Sequence, residues 1–472
     1  MTHESAQPRA PQGTRLHAVI QRYYQAWLLY RNEAGRAVPE LVRREFERFL
    51  RCGDPGFGYA VLGCLRCGVT RAIARSCKGR AWCPYCLTRR QRKLAGHVVD
   101  GVFGDLPVRH WVLCLPPHFR FTLGYNPAML TAALAAFVDS IFHYIRWKAK
   151  HELDLTSVEL ACPGAVSVIH RCSADLDTNI HFHVLVPEGV FIRLITDGPV
   201  TFHSLGAPTD EEIEAVALDA CRRTCAAAQR RGHWQPDARG SSDTTVAGVL
   251  TFGDRRGQPA KFFGQVARYG EGGLEPRDGA YAFHVSADHI VEAGNRRGLR
   301  DLVEYVLAPP LSDGQVSWGA SGKVVIRLKR ARRDGSDEAE MAPVVLLDRL
   351  AALVGRRRSK GVRYHGVYAS NAAIRSEVMP WRPLEQPSPA GEAPDATQAY
   401  RMLHAQHHVV DEPACPHCRR RFTLVKVVTP THTYRNPGWN PPDGWPIPRD
   451  QDSRGRDLRP VTQSREREIS RL

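Results

Sequence analysis

The stretch Asn179-Ile-His-Phe-His-Val-Leu-Val186 predicts a β-strand whose two faces differ in chemistry. Side chains alternate between the faces of a strand, so His181 and His183 share one face with Leu185. The opposite face is apolar and carries Ile180, Phe182, Val184 and Val186. Two imidazoles side by side on a strand with an apolar back form half of a divalent-metal site. The pair alone is a modest indication, because histidine is also an ordinary residue of partly buried positions.

A third ligand is expected from the preceding β segment, Ala165–His170. His170 shares a strand face with Val166 and Val168, and catalytic metal sites commonly use three protein ligands. We therefore predict that His170 joins the pair from a neighbouring strand. A metal-free histidine-triad nucleotide hydrolase is excluded, because its third histidine would fall at position 185, which is leucine.

A helix is predicted over Asn295–Leu307, ending before Pro309-Pro310 because proline cannot continue a helix. Its apolar stripe comprises Leu299, Leu302, Val303, Val306 and Leu307. Tyr305 points well away from this stripe and shares its side with Asp301 and Glu304. It is either an exposed surface tyrosine or a side chain presented as a nucleophile.

Cysteines cluster near the N-terminus as two CxxC pairs, Cys64/Cys67 and Cys83/Cys86. Their spacing predicts one tetrahedral Zn²⁺ bound by all four thiolates, and buried free thiols are the alternative. A closed four-sulfur site leaves no position for water, so this zinc is predicted to be structural. The surplus Cys52 and Cys77 could replace a ligand or contribute to a second site, with Cys77 the tentative ligand. A lone CxxC, Cys415-Pro-His-Cys418, is either a further zinc site or a decayed ribbon.

The chain of 472 residues has 65 Lys+Arg and 49 Asp+Glu, a formal net charge of +16, which favours a polyanionic partner. Between Cys64 and Lys93 the sequence has no acid, and Trp82 and Tyr85 lie beside the basic residues. This pattern predicts a nucleic-acid contact surface rather than an ordinary solvated face. Its basic residues are Arg66, Arg71, Arg75, Lys78, Arg80, Arg89, Arg90, Arg92 and Lys93.

The composition argues against a membrane or secreted protein. We find no apolar run of the ~18–20 residues that a bilayer span requires, and the first thirty residues lack the order of a signal peptide. A cytoplasmic, DNA-associated protein is therefore expected.

Strands alternate with helices in the middle of the chain, which predicts an α/β or α+β catalytic domain preceded by a small zinc-binding domain. The expected divisions are a helical N-terminal region at 1–45, the zinc-binding domain at 46–100 and a catalytic domain at 105–375. A linker at 376–400, the CxxC segment at 401–430 and a disordered tail at 431–472 complete the chain.

Several blocks in this order resemble the insertion-sequence-91 type of rolling-circle transposases, part of the HUH endonuclease superfamily. The resemblance covers about residues 40–380. Its carriers are the Cys64–Cys86 segment, Val108-Arg-His-Trp-Val-Leu, Asn179-Ile-His-Phe-His, Glu304-Tyr-Val-Leu-Ala-Pro-Pro310, Leu328-Lys to Arg333-Asp-Gly335, and Arg363-Tyr-His-Gly-Val367.

The resemblance implies an α+β fold, an HUH-type antiparallel sheet with flanking helices. It also implies a metal-dependent enzyme that nicks and rejoins single-stranded or melted DNA at element ends. His181 and His183 would hold Mg²⁺ or Mn²⁺, with His170 as tentative third ligand. Tyr305 would form a 5′-phosphotyrosine, and the zinc module would assist end recognition. A replication initiator or relaxase of the same superfamily, or a non-catalytic zinc DNA-binding protein, are the alternatives.

The sequence departs from the family pattern at two positions. Many relatives have two tyrosines four residues apart, but the position four before Tyr305 is Asp301. One tyrosine used repeatedly, or a second chain, is therefore implied. Tyr364 and Tyr368 also lie four apart, but in a different block. The second departure is His170, where glutamine is expected in relatives.

Overall fold

The computed structural model describes residues 11–79, 81–193, 198–232, 267–270, 273–276, 283–328, 331, 335–355, 361–379, 415, 417–418, 422–429, 431 and 433–435. The chain divides into two compact units. One, the ribbon unit, combines Asp54–Arg75 with the described part of Ala390–Leu472. The other, the main unit, comprises Arg9–Gly53 and Ser76–Pro389.

The α-helices are α1 (Arg15–Glu33), α2 (Glu40–Leu50), α3 (Pro84–Val98), α4 (Pro117–Tyr125), α5 (Pro127–Glu152), α6 (Asp210–Arg230), α7 (Arg296–Val306), α8 (Pro343–Ala352) and α9 (Arg375–Val378). The strands are β1 (Tyr59–Gly63), β2 (Thr70–Ala74), β3 (Val108–Cys114), β4 (Gly164–Cys172), β5 (Thr178–Pro187), β6 (Gly189–Ile192), β7 (Thr201–Ser204), β8 (Ala267–Gly270), β9 (Gly273–Pro276), β10 (His284–Val291), β11 (Val316–Trp318), β12 (Val324–Arg327), β13 (Glu338–Met341), β14 (Val362–Gly366), β15 (Thr423–Val428) and β16 (Thr433–Arg435). The sequence predictions for β4, β5 and α7 agree with these bounds to within a few residues.

A five-stranded antiparallel sheet of order β10-β3-β5-β4-β14 organises the main unit. The histidine strand β5 is therefore central. Its apolar face, with Phe182 and Val184, packs on α5 and α6 in the largest core of the described residues. Its other face, with Leu185, packs on the apolar stripe of α7 together with Val166 and Val168 of β4. The predicted α+β class and the two faces of β5 are confirmed.

Helix α5 is long and apolar enough to cross a membrane by length and composition, which the sequence analysis did not expect. Charged residues such as Asp139 and Lys148 interrupt its apolar pattern, so the run is easily missed. In the structure 67% of its most apolar window is buried. Phe137 and Ile141 are fully covered in the core beneath the sheet, as expected for the central helix of a folded domain.

A second core of the main unit lies around Trp82, which is fully buried. Phe46 and Phe49 of α2 pack against its ring, with centroids 5.0 and 4.7 Å away. Trp27 of α1 contacts Phe46 at 5.1 Å and donates its indole N–H to Asp348 of α8 over 2.8 Å. The N-terminal helices and the segment of the second CxxC pair therefore share one hydrophobic core.

The ribbon unit contains a four-stranded antiparallel sheet of order β16-β15-β1-β2. Its two halves come from opposite ends of the chain. The predicted boundaries differ accordingly: the expected zinc-binding domain at 46–100 is divided between the units, and Thr433–Arg435 forms a strand within the expected tail. Most of the expected linker and CxxC segment lies outside the described residues.

Candidate metal and tyrosine centre

Three histidines meet on the face of the sheet that packs on α7. His170 of β4 lies directly opposite His181 in the strand register, and Val168 lies opposite His183. The ring centroids are 4.2 Å apart for His170 and His183, and 5.0 Å for both other pairs. One ligand atom from each of the three lies within 4.8 Å of the others. The expected position of His170 on a neighbouring strand is therefore the observed one.

Hydrogen bonds orient the three imidazoles. His181 Nδ1 donates to the Asn179 carbonyl over 2.9 Å, and His170 Nε2 donates to the Val306 carbonyl over 2.6 Å. Metal-binding histidines almost always donate their second nitrogen in this way, which fixes the tautomer and the ring. His183 is fully enclosed, and its Nε2 has no hydrogen-bond partner. A buried nitrogen without a partner is costly, and a bound cation would satisfy it.

His110 of β3 is a contributor to this centre that the sequence analysis missed. Its Nε2 lies 2.8 Å from His183 Nδ1. Burial lowers the pKa of His110 to about 3 and that of His183 well below its usual value. Both imidazoles are therefore neutral at pH 7, the form that binds a metal ion. In the register of β3 and β5, His110, Val112 and Cys114 lie opposite Leu185, His183 and His181, a pairing that the sequence alone does not give.

Tyr305 occupies the last turn of α7 and is half-buried. Its ring meets that of His183 edge to face, with centroids 6.2 Å apart. The carbonyl that His170 bonds belongs to the next residue, Val306. The histidine face and the end of the tyrosine helix are thus joined directly. The expectation that Tyr305 stands off the apolar stripe agrees with its partial exposure.

Tyr364 and Tyr368, the other two tyrosines four residues apart, have different surroundings from those of Tyr305. Tyr368 is fully buried and its hydroxyl has no hydrogen-bond partner, so burial raises its pKa strongly. Tyr364 lies on β14 opposite Val166 and contacts the His97 ring. Asp301 is exposed on α7. Of these three tyrosines, Tyr305 is the one with a ring contact to the three-histidine cluster, through His183.

The four cysteines of the two CxxC pairs do not converge on one site, and that part of the sequence prediction is wrong. Cys83 and Cys86 instead meet Cys52 and Cys77, the two residues taken as surplus. Cys86 Sγ lies 3.4 Å from Cys77 Sγ and 3.8 Å from Cys52 Sγ. The residues between Cys52 and Cys77 belong almost entirely to the ribbon unit, so spacing alone could not reveal this pairing.

This first cysteine cluster is arranged as a metal site. Backbone N–H groups of Cys77 and Gly79 donate to the sulfurs of Cys52 and Cys77, each over 3.2 Å. Hydrogen bonds from the other three thiols lower the pKa of Cys86, whereas the pKa of Cys83 is raised well above its usual value. Four thiolates can be held together only when a cation neutralises them, as a tetrahedral Zn²⁺ does.

Helix α3 connects this cluster to the tyrosine helix within the main unit. Cys83 is its N-cap and Cys86 lies in its first turn. Five residues after Cys86, the Gln91 side-chain amide donates to the carbonyl of Glu304, the residue before Tyr305. A structural zinc at the start of α3 would therefore help to hold α7 in place.

The second cysteine cluster joins Cys64 and Cys67 to Cys415 and Cys418 in the ribbon unit. From the sequence, Cys415 and Cys418 could be either a further zinc site or a decayed ribbon. The structure places both pairs within 4.8 Å of one another. The signal that could have found them is two unmatched CxxC pairs in one chain.

The basic stretch is also divided between the units. Arg66, Arg71 and Arg75 belong to the ribbon unit, and Arg80 lies outside the described residues. Lys78 and four residues of α3 belong to the main unit, with Arg92 and Lys93 exposed and Arg89 and Arg90 half-exposed. Trp82 is buried in the core rather than presented beside them, because it packs on α2.

Comparison with known families agrees with this arrangement. The Y2 transposase family model matches residues 164–375, and the transposase zinc-binding domain model of the IS91 type matches residues 19–115. The first match contains the three histidines and Tyr305, and the second contains His110 and the first cysteine cluster. No curated protein and no solved structure matches the chain. The chain belongs to the IS91-like transposases, with an N-terminal zinc-binding domain.

Proposed function

We propose that this transposase nicks and rejoins single-stranded or melted DNA at the ends of its element in rolling-circle transposition, as an HUH-type enzyme. The observation that carries the proposal is the contact of Tyr305 with His183, whose buried Nε2 lacks a partner. Phosphoryl transfer to a tyrosine requires the phenol to lie beside a divalent metal ion. The ring contact places Tyr305 beside a group of histidines that could bind one.

The three imidazoles fit a divalent ion. His170, His181 and His183 would hold it through Nδ1, Nε2 and Nε2, because the opposite nitrogens of the first two bond carbonyls and that of His183 faces His110. When bound, the ion would polarise a scissile phosphate oxygen and orient the 3′ leaving group. An all-imidazole set suits transition ions better than Mg²⁺, so of the two expected ions Mn²⁺ is favoured.

The chain's own chemistry is the transfer of the strand to Tyr305. The phenol oxygen attacks phosphorus and loses its proton to solvent, while the P–O3′ bond breaks and the leaving oxygen takes up a proton. The products are a 5′-phosphotyrosine and a free 3′-hydroxyl. Attack of a 3′-hydroxyl on the phosphotyrosine reverses the step and rejoins DNA without ATP, because the covalent bond retains the phosphodiester energy.

Asp301 occupies the place of the second tyrosine of many relatives. Tyr305 is therefore proposed to act repeatedly, or to act together with the same tyrosine of a second chain. The exposed basic residues of α3 would contact the DNA backbone, and the cytoplasm is the expected compartment. The joining of α3 to α7 through Gln91 gives the zinc-binding domain a positioning role beside that of end recognition.

The test is covalent capture of DNA. The protein is incubated with single-stranded DNA from the element's ends and Mn²⁺, and a shifted band is sought on a denaturing gel. Tyr305→Phe and chelation should each abolish the adduct. Tyr30→Phe, a change at an exposed tyrosine of α1, should retain it. An adduct that persists in Tyr305→Phe would exclude the assigned nucleophile, and a protein that binds DNA without any adduct would support the non-catalytic alternative.

A further inference from the structure

The second cysteine cluster is assembled from two segments that lie at opposite ends of the sequence. Cys64 and Cys67 flank the turn after β1, where Gly68 adopts a φ of 72° and donates its N–H to the Cys64 carbonyl over 2.9 Å. Cys415 and Cys418 precede β15. The sulfurs of Cys64 and Cys418, 354 residues apart in sequence, are separated by 3.5 Å.

Backbone pairing holds the two segments in register. β15 pairs with β1 from Tyr59 opposite Val428 to Gly63 opposite Thr423. On its other side β1 pairs with β2, so the tail strand completes the sheet as a neighbour of β1. Backbone hydrogen bonds between β1 and β15 therefore hold together the two segments that carry the four cysteines, in addition to the proximity of the side chains.

The described part of this unit has a small hydrophobic core. It consists of Ala60, Leu62, Cys64, Cys415, Phe422, Leu424 and Val427. Small cores of this kind generally need a metal, disulfides or a partner for stability. Cys64 and Cys415 are fully buried, but Cys67 is exposed and Cys418 half-exposed, so burial of small apolar side chains does not explain all four cysteines.

The distances fit tetrahedral coordination by sulfur. With Zn–S bonds of about 2.3 Å, the edge of a regular tetrahedron is about 3.8 Å. The four sulfurs lie within 4.8 Å of one another, and Cys64 and Cys418 are 3.5 Å apart. Each half supplies the two-residue spacing of a zinc knuckle, and a glycine follows the first.

We propose that Cys64, Cys67, Cys415 and Cys418 bind a structural zinc ion that fastens the C-terminal tail to the N-terminal hairpin. Neither matched family segment reaches residues 415–418. The ribbon is thus completed from outside the zinc-binding domain that the family comparison recognises. This inference does not depend on the proposed reaction, because the ribbon cysteines and the three histidines belong to different units.

The first test measures the zinc content of the full chain by mass spectrometry of the metal, normalised to protein by amino-acid analysis. We expect two zinc ions per chain, one for each four-cysteine cluster. The double variant Cys415→Ser/Cys418→Ser should contain one fewer, and so should Cys64→Ser/Cys67→Ser. His417→Ala, a change at the exposed residue between the two C-terminal ligands, is the matched control and should keep both. Unchanged zinc in either double variant would overturn the proposal.

The second test does not depend on how the variants fold. A protease site is introduced at residues 386–396 of an otherwise unchanged chain, which is cleaved after purification. The fragment carrying Cys415 and Cys418 should co-elute with the rest of the protein on size exclusion and separate after chelation. A fragment that separates while zinc is retained, or that stays bound after complete zinc removal, would contradict a fastening role for the metal.

Discussion

Nε2 of His110 lies 2.8 Å from Nδ1 of His183, and the two rings are nearly parallel, 12° apart. Both imidazoles are buried and neutral. If Nε2 of His183 accepts a metal ion, its proton resides on Nδ1 and is donated to His110. His110 therefore determines which nitrogen of His183 faces the cluster, although it does not itself belong to the three-histidine group.

Replacing His110 should weaken metal binding. His110→Ala leaves Nδ1 of His183 without its partner, and loss of such a supporting bond typically costs about 10–100-fold in metal affinity. Mn²⁺ titration by calorimetry measures this directly, without DNA. His110→Gln, whose amide oxygen can accept the bond, should recover part of the loss.

The matched control is His365→Ala. His365 is another partly buried histidine of the sheet, but it bonds Ser167 over 2.8 Å. Its removal should lower thermal stability and leave Mn²⁺ affinity unchanged. Equal losses of affinity in both variants would mean that the effect of His110 is a general loosening of the sheet.

Gln91→Ala should slow the reaction without changing metal affinity. The substitution removes the amide that bonds the Glu304 carbonyl, and Tyr305 follows in the chain. A displacement of a reacting group by ~1 Å can cost on the order of 100-fold, so we expect a fall of about 10–100-fold in single-turnover adduct formation. Gln315→Ala, at a half-buried glutamine whose side-chain amide donates to the Arg327 carbonyl, is the control with normal rates. A normal rate in Gln91→Ala would remove the positioning role of α3.

Charge reversal on α3 should weaken DNA binding in a salt-dependent way. Arg92→Glu/Lys93→Glu changes two exposed basic residues of α3, the helix that Gln91 joins to α7. Each lost phosphate contact should reduce the slope of log affinity against log salt by about 0.7 for single strands. The variant Arg222→Glu/Arg230→Glu makes the same change of charge at exposed positions of α6. If both variants lose affinity alike, net charge rather than a contact surface on α3 is responsible.

Cys77→Ser should destabilise the main unit through the first cysteine cluster. Removing one ligand from a structural zinc site forfeits binding energy that is also folding energy. The neighbouring Trp82 is fully buried against Phe46 and Phe49, so its environment should change with the metal. Chelation of the wild-type protein should lower the melting temperature of the main unit. In Cys77→Ser that temperature should already be lower and should respond less to chelator, which then removes only the zinc of the second cysteine cluster. A response equal to that of the wild type would exclude Cys77 as a ligand.

The strand alternation around His181 was sufficient to predict the faces of β5, because a buried central strand leaves its pattern in adjacent residues. The position of His170 followed from the same rule. The role of His110 did not, because it depends on the register between β3 and β5, and register is set by long-range pairing. Tyr305 was identified from helical phase, but its contact with His183 required the packing of α7 on the sheet.

The cysteine pairing failed for a different reason. Spacing rules assume that ligands close in sequence share an ion, whereas Cys52 and Cys77 flank an inserted hairpin that belongs to another unit. Cys64 and Cys67 find their partners more than 300 residues later. The sequence around each CxxC pair does not indicate which distant pair shares its metal site. The only indication is that the chain has CxxC pairs without a partner nearby.

The ribbon's strand order also has a consequence in time. β1 and β2 are synthesised long before β15, the second neighbour of β1, and Cys418 follows Cys64 by 354 residues. At about 5–20 residues per second, that delay is on the order of 20–70 seconds. Throughout it, Cys64 and Cys67 remain half of a ligand set and β1 lacks one neighbour. A polypeptide that stops short of residue 415 never completes the ribbon, so formation of this unit reports that translation has reached the tail.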